Sequence, residues 1–126
     1  MVKRMQRNDL KILLLQIRDD QKVRDEEHQS FARYSNLNPD QIHVHNVFDK
    51  PNFHPDIVDG FDALYVGGAS EANVLLPNKY IFVEDCLELI RYAADRNVPT
   101  FASCFGFQLA ILAFGGTILS RETDYE

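Results

Sequence analysis

The chain alternates short apolar runs with longer amphipathic stretches. Five runs have the length and composition of strands in a sheet, and three stretches carry apolar residues at helical spacing. The predicted strands cover residues 11–17, 42–48, 61–68, 99–104 and 117–120, and the predicted helices cover residues 25–37, 79–97 and 105–114. The elements therefore follow in the order strand, helix, strand, strand, helix, strand, helix, strand.

This order predicts an α/β fold with a doubly wound, mostly parallel sheet and helices on both faces, which is a flavodoxin-like three-layer sandwich. At 126 residues the chain has the length of one domain. We expect residues 1–9 to form a flexible leader and residues 10–126 to form the domain. Folds of this class bind ligands at the carboxyl ends of their strands, which directs attention to the loops after the third and fourth strands.

The segment around the start of the first predicted helix is rich in charge. Residues 18–27 mix acidic and basic side chains, so we expect a solvent-facing turn followed by the first helical turn. Farther along this helix, Phe31, Tyr34 and Leu37 are expected to share the side that packs on the sheet.

Composition argues against several classes of function. With 13 Lys and Arg against 19 Asp and Glu, the net charge of −6 does not suit a nucleic-acid surface, which needs clustered cations. The apolar runs are too short to span a bilayer, so no membrane partner is expected. The two cysteines, Cys86 and Cys104, lie in different predicted elements, which favours a reduced, cytoplasmic protein over a disulfide framework. The sequence also lacks a glycine-rich phosphate loop with Lys and Ser or Thr, and we predict no cofactor.

Cys104 stands at the turn from the fourth strand into the third helix, with Ser103 before it and Gly106 two residues after it. A nucleophile on such a tight turn is presented above the sheet, and small neighbours let strand and helix pass closely. The helix that begins at Phe105 would contribute unpaired N–H groups and a positive dipole end, both of which favour the thiolate. We therefore expect Cys104 to be more reactive than Cys86, although a cysteine in an apolar stretch is more often a small buried hydrophobe.

An acyl-transfer site with a cysteine nucleophile also needs donors for the oxyanion. The N–H group of Phe105 is one candidate, and the second is expected from the loop that ends a neighbouring strand. Gly67 and Gly68 end the third strand, where glycine permits a positive φ and a close approach to substrate. A glycine pair after a strand is also an ordinary turn.

The segment "FASCFGFQLA" resembles the nucleophile segment of class I glutamine amidotransferases, whose pattern is Gly-x-Cys-x-Gly-x-Gln. The resemblance extends to "DALYVGGAS" upstream and "AFGG" downstream, and in particular to stand-alone domains related to the amidotransferase half of GMP synthase. It implies that glutamine is the substrate, and that ammonia passes to a synthase domain or subunit. In the site that it implies, Cys104 is the nucleophile, the N–H groups of Gly68 and Phe105 form the oxyanion hole, and Gly67, Gly106 and Gln108 contact the substrate.

The chain departs from the family pattern in two ways. Ala102 replaces the first glycine, which adds one methyl group where strand and helix cross. The family's activating His-x-Glu pair follows the cysteine, whereas His28, His43, His45 and His54 all precede Cys104. The sequence therefore indicates the amino-terminal part of such a domain, truncated at the carboxyl end. We expect it to be inactive or nearly so by itself, because positioned acid–base catalysis is worth about 10²- to 10⁴-fold.

Two other functions stay open. One is a different cysteine hydrolase of the same superfold, whose members carry histidine directly after the nucleophile, where this chain has Phe105. The other is a non-catalytic binding or assembly module on the same scaffold, with self-association through the edge of an incomplete sheet. His43 and His45 alternate along a predicted strand without a third ligand at motif spacing, so no metal site is predicted.

Overall fold

The computed structural model describes residues 9–68 and 82–102 of the chain. The strands are β1 (Ile12–Gln16), β2 (Ile42–Asn46), β3 (Ala63–Val66) and β4 (Thr100–Ala102), and the helices are α1 (Gln21–Ser35) and α2 (Phe82–Asp95). Short 3₁₀ turns at Pro39–Gln41 and Pro55–Val58 precede β2 and β3. Residues 1–8 of the predicted leader, the predicted third helix and the predicted fifth strand lie outside the described residues.

The four strands form one parallel sheet in the order β2-β1-β3-β4. Ile12 of β1 pairs with Ile42 of β2 on one side and with Ala63 of β3 on the other. Parallel neighbours need crossover connections, and α1 and α2 supply two of them. The α/β fold with a parallel sheet is confirmed.

Alternate residues of the strands face opposite helices. Leu13 and Leu15 of β1 belong to the cluster that α2 covers, whereas Ile12 and Leu14 belong to the cluster that α1 covers. All five positions of β1 are buried. A strand that is buried on both faces needs apolar residues on both, which explains the continuous apolar run of residues 12–15. The prediction of helices on both faces is confirmed.

Helix α1 begins four residues earlier than the sequence predicted. Asp20 caps it, because the Asp20 carboxylate accepts a hydrogen bond of 3.1 Å from the backbone N–H of Lys22. The helix ends before Asn36, whose left-handed φ of 59° lets the N–H of Leu37 donate to the carbonyl of Ala32 at 2.9 Å. The predicted start at Asp25 was wrong, because the charged residues 18–27 include the capping residue Asp20 and the first turns of the helix.

The predicted apolar side of α1 was wrong at one position. Phe31 and Leu37 pack against the sheet, but Tyr34 is 86% exposed. Leu37 reaches the sheet after the helix has ended, through the turn at Asn36, so its position does not follow helical spacing. Tyr34 lies within the helix and turns away from the sheet.

Candidate functional site

Two glycines follow β3 at the carboxyl edge of the sheet. Gly67 and Gly68 are both buried, and we call them the glycine pair. The backbone N–H of Gly67 donates to the carbonyl of Leu15 at 3.0 Å, so this residue continues the contact between β3 and β1 beyond Val66. The glycine pair is therefore held against the end of the sheet.

The backbone N–H of Gly68 donates to a carboxylate of helix α1. Its acceptor is the Oε2 atom of Glu27, at 3.2 Å. The same oxygen accepts a hydrogen bond of 3.1 Å from Nε of Arg18, and the Glu27 side chain is only 8% exposed. The expectation that residues 18–27 face solvent was therefore wrong at Arg18 and Glu27, which form an ion pair beneath the glycine pair.

The Glu27 carboxylate also lies against the α-carbon of Gly67. A Cβ atom built on Gly67 would lie 2.7 Å from each carboxylate oxygen of Glu27, closer than Cβ atoms approach other atoms. Among the described glycines, Gly60 has a positive φ and Gly67 does not. The backbone of Gly67 therefore does not adopt a left-handed turn. The close approach to a substrate expected at the glycine pair stays a prediction, and the group that lies beside Gly67 in the structure is the carboxylate of Glu27.

A buried amide network fixes the backbone from which Arg18 projects. The Nδ2 atom of Asn46 donates to the Oε1 atom of Gln16 at 3.0 Å and to the carbonyl of Arg18 at 2.8 Å. The Nε atom of Arg24 donates to the same carbonyl at 3.0 Å. Because Gln16 is 2% and Asn46 is 7% exposed, these bonds form away from water, where an unpaired polar group would be costly.

Sequence reasoning missed this arrangement for a physical reason. Arg18 lies in the loop before α1, and Glu27 lies in the second turn of the helix, so the pair is separated by nine residues. No local pattern marks a contact of that kind, unlike the i to i+4 pairs of a single helix. The usable signals were a mixed-charge run directly after a buried strand and a glycine pair after its neighbour.

The contacts seen for the four histidines are with groups other than the glycine pair. Nε2 of His28 contacts the carbonyls of Pro39 and Ile42, at 3.0 and 2.9 Å. His43 and His45 of β2 make edge-to-face contacts with the rings of Phe61 and Phe53, at centroid distances of 5.3 and 4.6 Å. His54 caps the 3₁₀ turn before β3.

Burial lowers the pKa of His45, against the opposing effect of its hydrogen bond to the carbonyl of Lys50. Its ring is therefore neutral at physiological pH. β2 and β4 are separated by three strand spacings, about 14 Å. His43, which is exposed, and His45, which is half-buried, therefore lie on the edge strand farthest from β4.

Cys86 is a buried, inert thiol. It is fully enclosed among the apolar residues of α2 and is not in a disulfide. Burial raises the pKa of the Cys86 thiol, and the charge of Asp85 raises it further. A thiol of this kind carries almost no thiolate at neutral pH, so it reacts slowly.

The remaining predicted site residues lie outside the described part of the chain. They are Cys104, Phe105, Gly106 and Gln108, and their roles stay predictions. Within residues 9–68 and 82–102, no group of three His, Cys, Asp or Glu residues is placed to hold a metal ion. Neither of the two described helices has the length and apolar character needed to cross a membrane.

Comparison with known proteins agrees with the architecture. The sequence matches the family described as glutamine amidotransferase class-I over residues 3–126. It is also similar to a CTP synthase from Thermococcus kodakarensis, with 32% identity over 66 residues. That similarity covers 52% of this chain but only 11% of the length of the CTP synthase. The family match spans nearly the whole chain, and the protein belongs to the class I glutamine amidotransferases.

Proposed function

We propose that this chain carries the nucleophile and the oxyanion donors of a glutamine amidotransferase site. Cys104 is the nucleophile, the N–H groups of Gly68 and Phe105 stabilise the oxyanion, and Gly67, Gly106 and Gln108 contact the bound glutamine. Membership of the family supports the reaction class. The described residues support the arrangement through the positions of β3 and β4.

The pairing of β3 with β4 is the observation that carries this proposal. Val66 and Ala102 are register partners at the ends of two adjacent parallel strands. Gly68 follows Val66 by two residues, and Cys104 follows Ala102 by two residues. Two residues extend at most about 7 Å, so we expect Cys104 to lie near the glycine pair, at the edge where such folds bind ligands.

The reaction follows from a thiolate facing a carboxamide. The sulfur of Cys104 attacks the side-chain carbonyl carbon of glutamine, and the oxygen takes up negative charge that the backbone N–H groups stabilise. The C–N bond then breaks, ammonia leaves with an added proton, and a γ-glutamyl thioester remains. Water hydrolyses the thioester to glutamate and restores the thiol.

The 126-residue chain alone is expected to turn over glutamine slowly. Its four histidines precede Cys104, and those of β2 lie three strands from β4. Without a positioned base, loss of ammonia lacks a contribution that is typically worth about 10²- to 10⁴-fold. Release of ammonia from glutamine by the purified chain, compared with a Cys104→Ser variant, measures this residual rate.

The ammonia is proposed to pass to a synthase domain or subunit in the cytoplasm. The relative in Thermococcus kodakarensis is named a CTP synthase, and this name supports a synthase as the acceptor of the ammonia. The buried, unpaired thiol of Cys86 suits a reducing compartment. Self-association through the sheet edge is a further expectation, and sedimentation at several protein concentrations tests it.

Labelling with a chloroketone analogue of glutamine tests the site directly. In this probe a chloromethyl group replaces the amide nitrogen, so the cysteine sulfur bonds to the methylene carbon and chloride leaves. We expect rapid modification of Cys104, slowing in the presence of L-glutamine, and no modification of Cys86, as read by peptide mass spectrometry. Equal labelling of both cysteines, or labelling that glutamine does not slow, would contradict the proposal.

A further inference from the structure

We propose that Glu27 is a positioning residue whose carboxylate accepts the hydrogen bond of the Gly68 N–H group until glutamine binds. This inference rests on the proposed function, in which the same N–H group stabilises the oxyanion. In the structure that N–H donates to Oε2 of Glu27 at 3.2 Å. The donor is thus engaged by an oxygen of the protein before any substrate oxygen reaches it.

A carboxylate oxygen and a reaction oxyanion are acceptors of the same kind. Both are negatively charged oxygens that favour backbone N–H donors. One N–H group cannot serve both at full strength, and two negative oxygens around one donor repel each other. Glu27 therefore holds the place that the oxyanion takes during the reaction, and it must release Gly68 for the donor to act.

The bonding of Glu27 favours such an exchange. Its Oε2 atom accepts from both Arg18 and Gly68, whereas its Oε1 atom is buried and has no hydrogen-bond partner among residues 9–68 and 82–102. Burying a charged oxygen without a donor is costly, so the carboxylate is not optimally satisfied where it lies. Arg18 offers the carboxylate a cationic partner that does not depend on Gly68.

The local sequence allows the carboxylate to reach this position. Glycine at residue 67 leaves the space that a Cβ atom would fill, 2.7 Å from both oxygens of Glu27. The side chain of Glu27 is 8% exposed, so water does not compete strongly for Gly68. The contact joins helix α1 to the end of β3, and therefore links the position of α1 to the availability of the oxyanion donor.

The test compares two alkylating reagents on Cys104 in variants of the full 126-residue chain. The chloroketone analogue of glutamine places a carbonyl oxygen at the oxyanion donors, whereas iodoacetamide reacts at a saturated carbon and does not need them. Glu27→Gln keeps the shape of the side chain and removes its charge. Glu26→Gln removes the same charge from an exposed neighbour and is the matched control.

We expect Glu27→Gln to raise the chloroketone rate constant at Cys104 by about three- to tenfold, a part of the 10²- to 10³-fold that one oxyanion donor is worth. The iodoacetamide rate should change by less than about twofold, and Glu26→Gln should leave both rates as they are. Glu27→Ala should move the ratio of the two rates in the same direction as Glu27→Gln, even if it lowers the stability of the fold.

The outcomes separate this inference from the proposed function. A chloroketone rate that stays equal or falls in Glu27→Gln, with Cys104 still labelled selectively in the unsubstituted chain, overturns the role of Glu27 alone. Parallel increases with both reagents would show an effect on the thiol rather than on the oxyanion donor, and would also overturn it. If Cys104 of the unsubstituted chain is not labelled faster than Cys86, the proposed function itself fails.

Discussion

Helices α1 and α2 pack on opposite faces of the same strands, but they bury different kinds of side chain. In α2 the buried residues are all apolar or cysteine, and they are Phe82, Val83, Cys86, Leu87, Leu89, Ile90 and Ala93. In α1 the one buried residue is Ala32, Phe31 packs partly buried beside it, and the helix also makes polar contacts at its cap and at the carboxyl edge of the sheet. Burial of apolar area is the main source of stability, so α2 is expected to stabilise the fold. Helix α1 instead positions charge beside the glycine pair.

The largest expected effect is on the α2 face. Leu89 is completely buried, so Leu89→Ala removes apolar contacts and leaves a cavity that should lower the free energy of unfolding by about 2–5 kcal/mol. Urea unfolding followed by circular dichroism measures this loss. Glu88→Ala, on the exposed side of the same helix, should cost less than about 0.5 kcal/mol. Equal losses in the two variants would mean that α2 does not pack as described.

The next effect tests the contact between α1 and the glycine pair. Gly67→Ala places a methyl group against the Glu27 carboxylate and should lower the free energy of unfolding by about 1–3 kcal/mol. In a Glu27→Ala background the carboxylate is gone, so the same substitution should cost much less. A double-mutant cycle in urea gives the coupling between the two residues. Additive losses would contradict the contact.

A smaller effect is expected at the start of α1. Asp20→Ala removes the acceptor for the N–H of Lys22 and should cost about 0.5–2 kcal/mol in thermal or urea unfolding. Asp20→Asn keeps a side-chain oxygen at the cap and should stay close to the unsubstituted protein. If the two variants lose the same stability, charge rather than capping is what Asp20 contributes.

The smallest effect distinguishes exposed from buried ion pairs on the α1 side. Nη1 of Arg24 lies 2.8 Å from Oδ2 of Asp49, whose side chain is 60% exposed. Asp49→Asn should change the free energy of unfolding by less than about 1 kcal/mol. The difference should shrink further in about 0.5–1 M salt, because that ionic strength screens surface charges. A larger loss of the free energy of unfolding that does not depend on salt would mean that Arg24 and Asp49 behave as a buried ion pair, like Arg18 and Glu27.

Apolar periodicity predicted the sheet and α2 well, because burial of a strand or of one side of a helix produces a pattern of apolar residues within that segment. The apolar run at residues 11–17 identified β1, and apolar residues at helical spacing within residues 79–97 identified α2. Asn36 ends α1 in the left-handed conformation, which asparagine tolerates better than most residues.

Helix α1 and the surroundings of the glycine pair were harder to predict. Charged residues carry no periodic signal that separates a solvated run from a buried pair, so the contact of Arg18 with Glu27 emerged only when β1, α1 and β3 were brought together. The position of Tyr34 was missed because the turn at Asn36 returns Leu37 to the sheet outside helical spacing. The glycine pair was found from sequence, but its acidic neighbour was not.

The pH dependence of alkylation at the two cysteines tests the central claim most directly. Iodoacetamide labelling of the folded chain, quantified for each cysteine between pH 5 and 9, gives the titration of each thiol under identical conditions. Because burial raises the pKa of Cys86, that residue should stay unlabelled throughout. Cys104 should react with a midpoint below the ordinary thiol pKa of about 8.5, as expected for a nucleophile at a helix amino terminus. A Cys104 that reacts no faster than Cys86, or that titrates at or above the ordinary value, would contradict the assignment of Cys104 as the nucleophile.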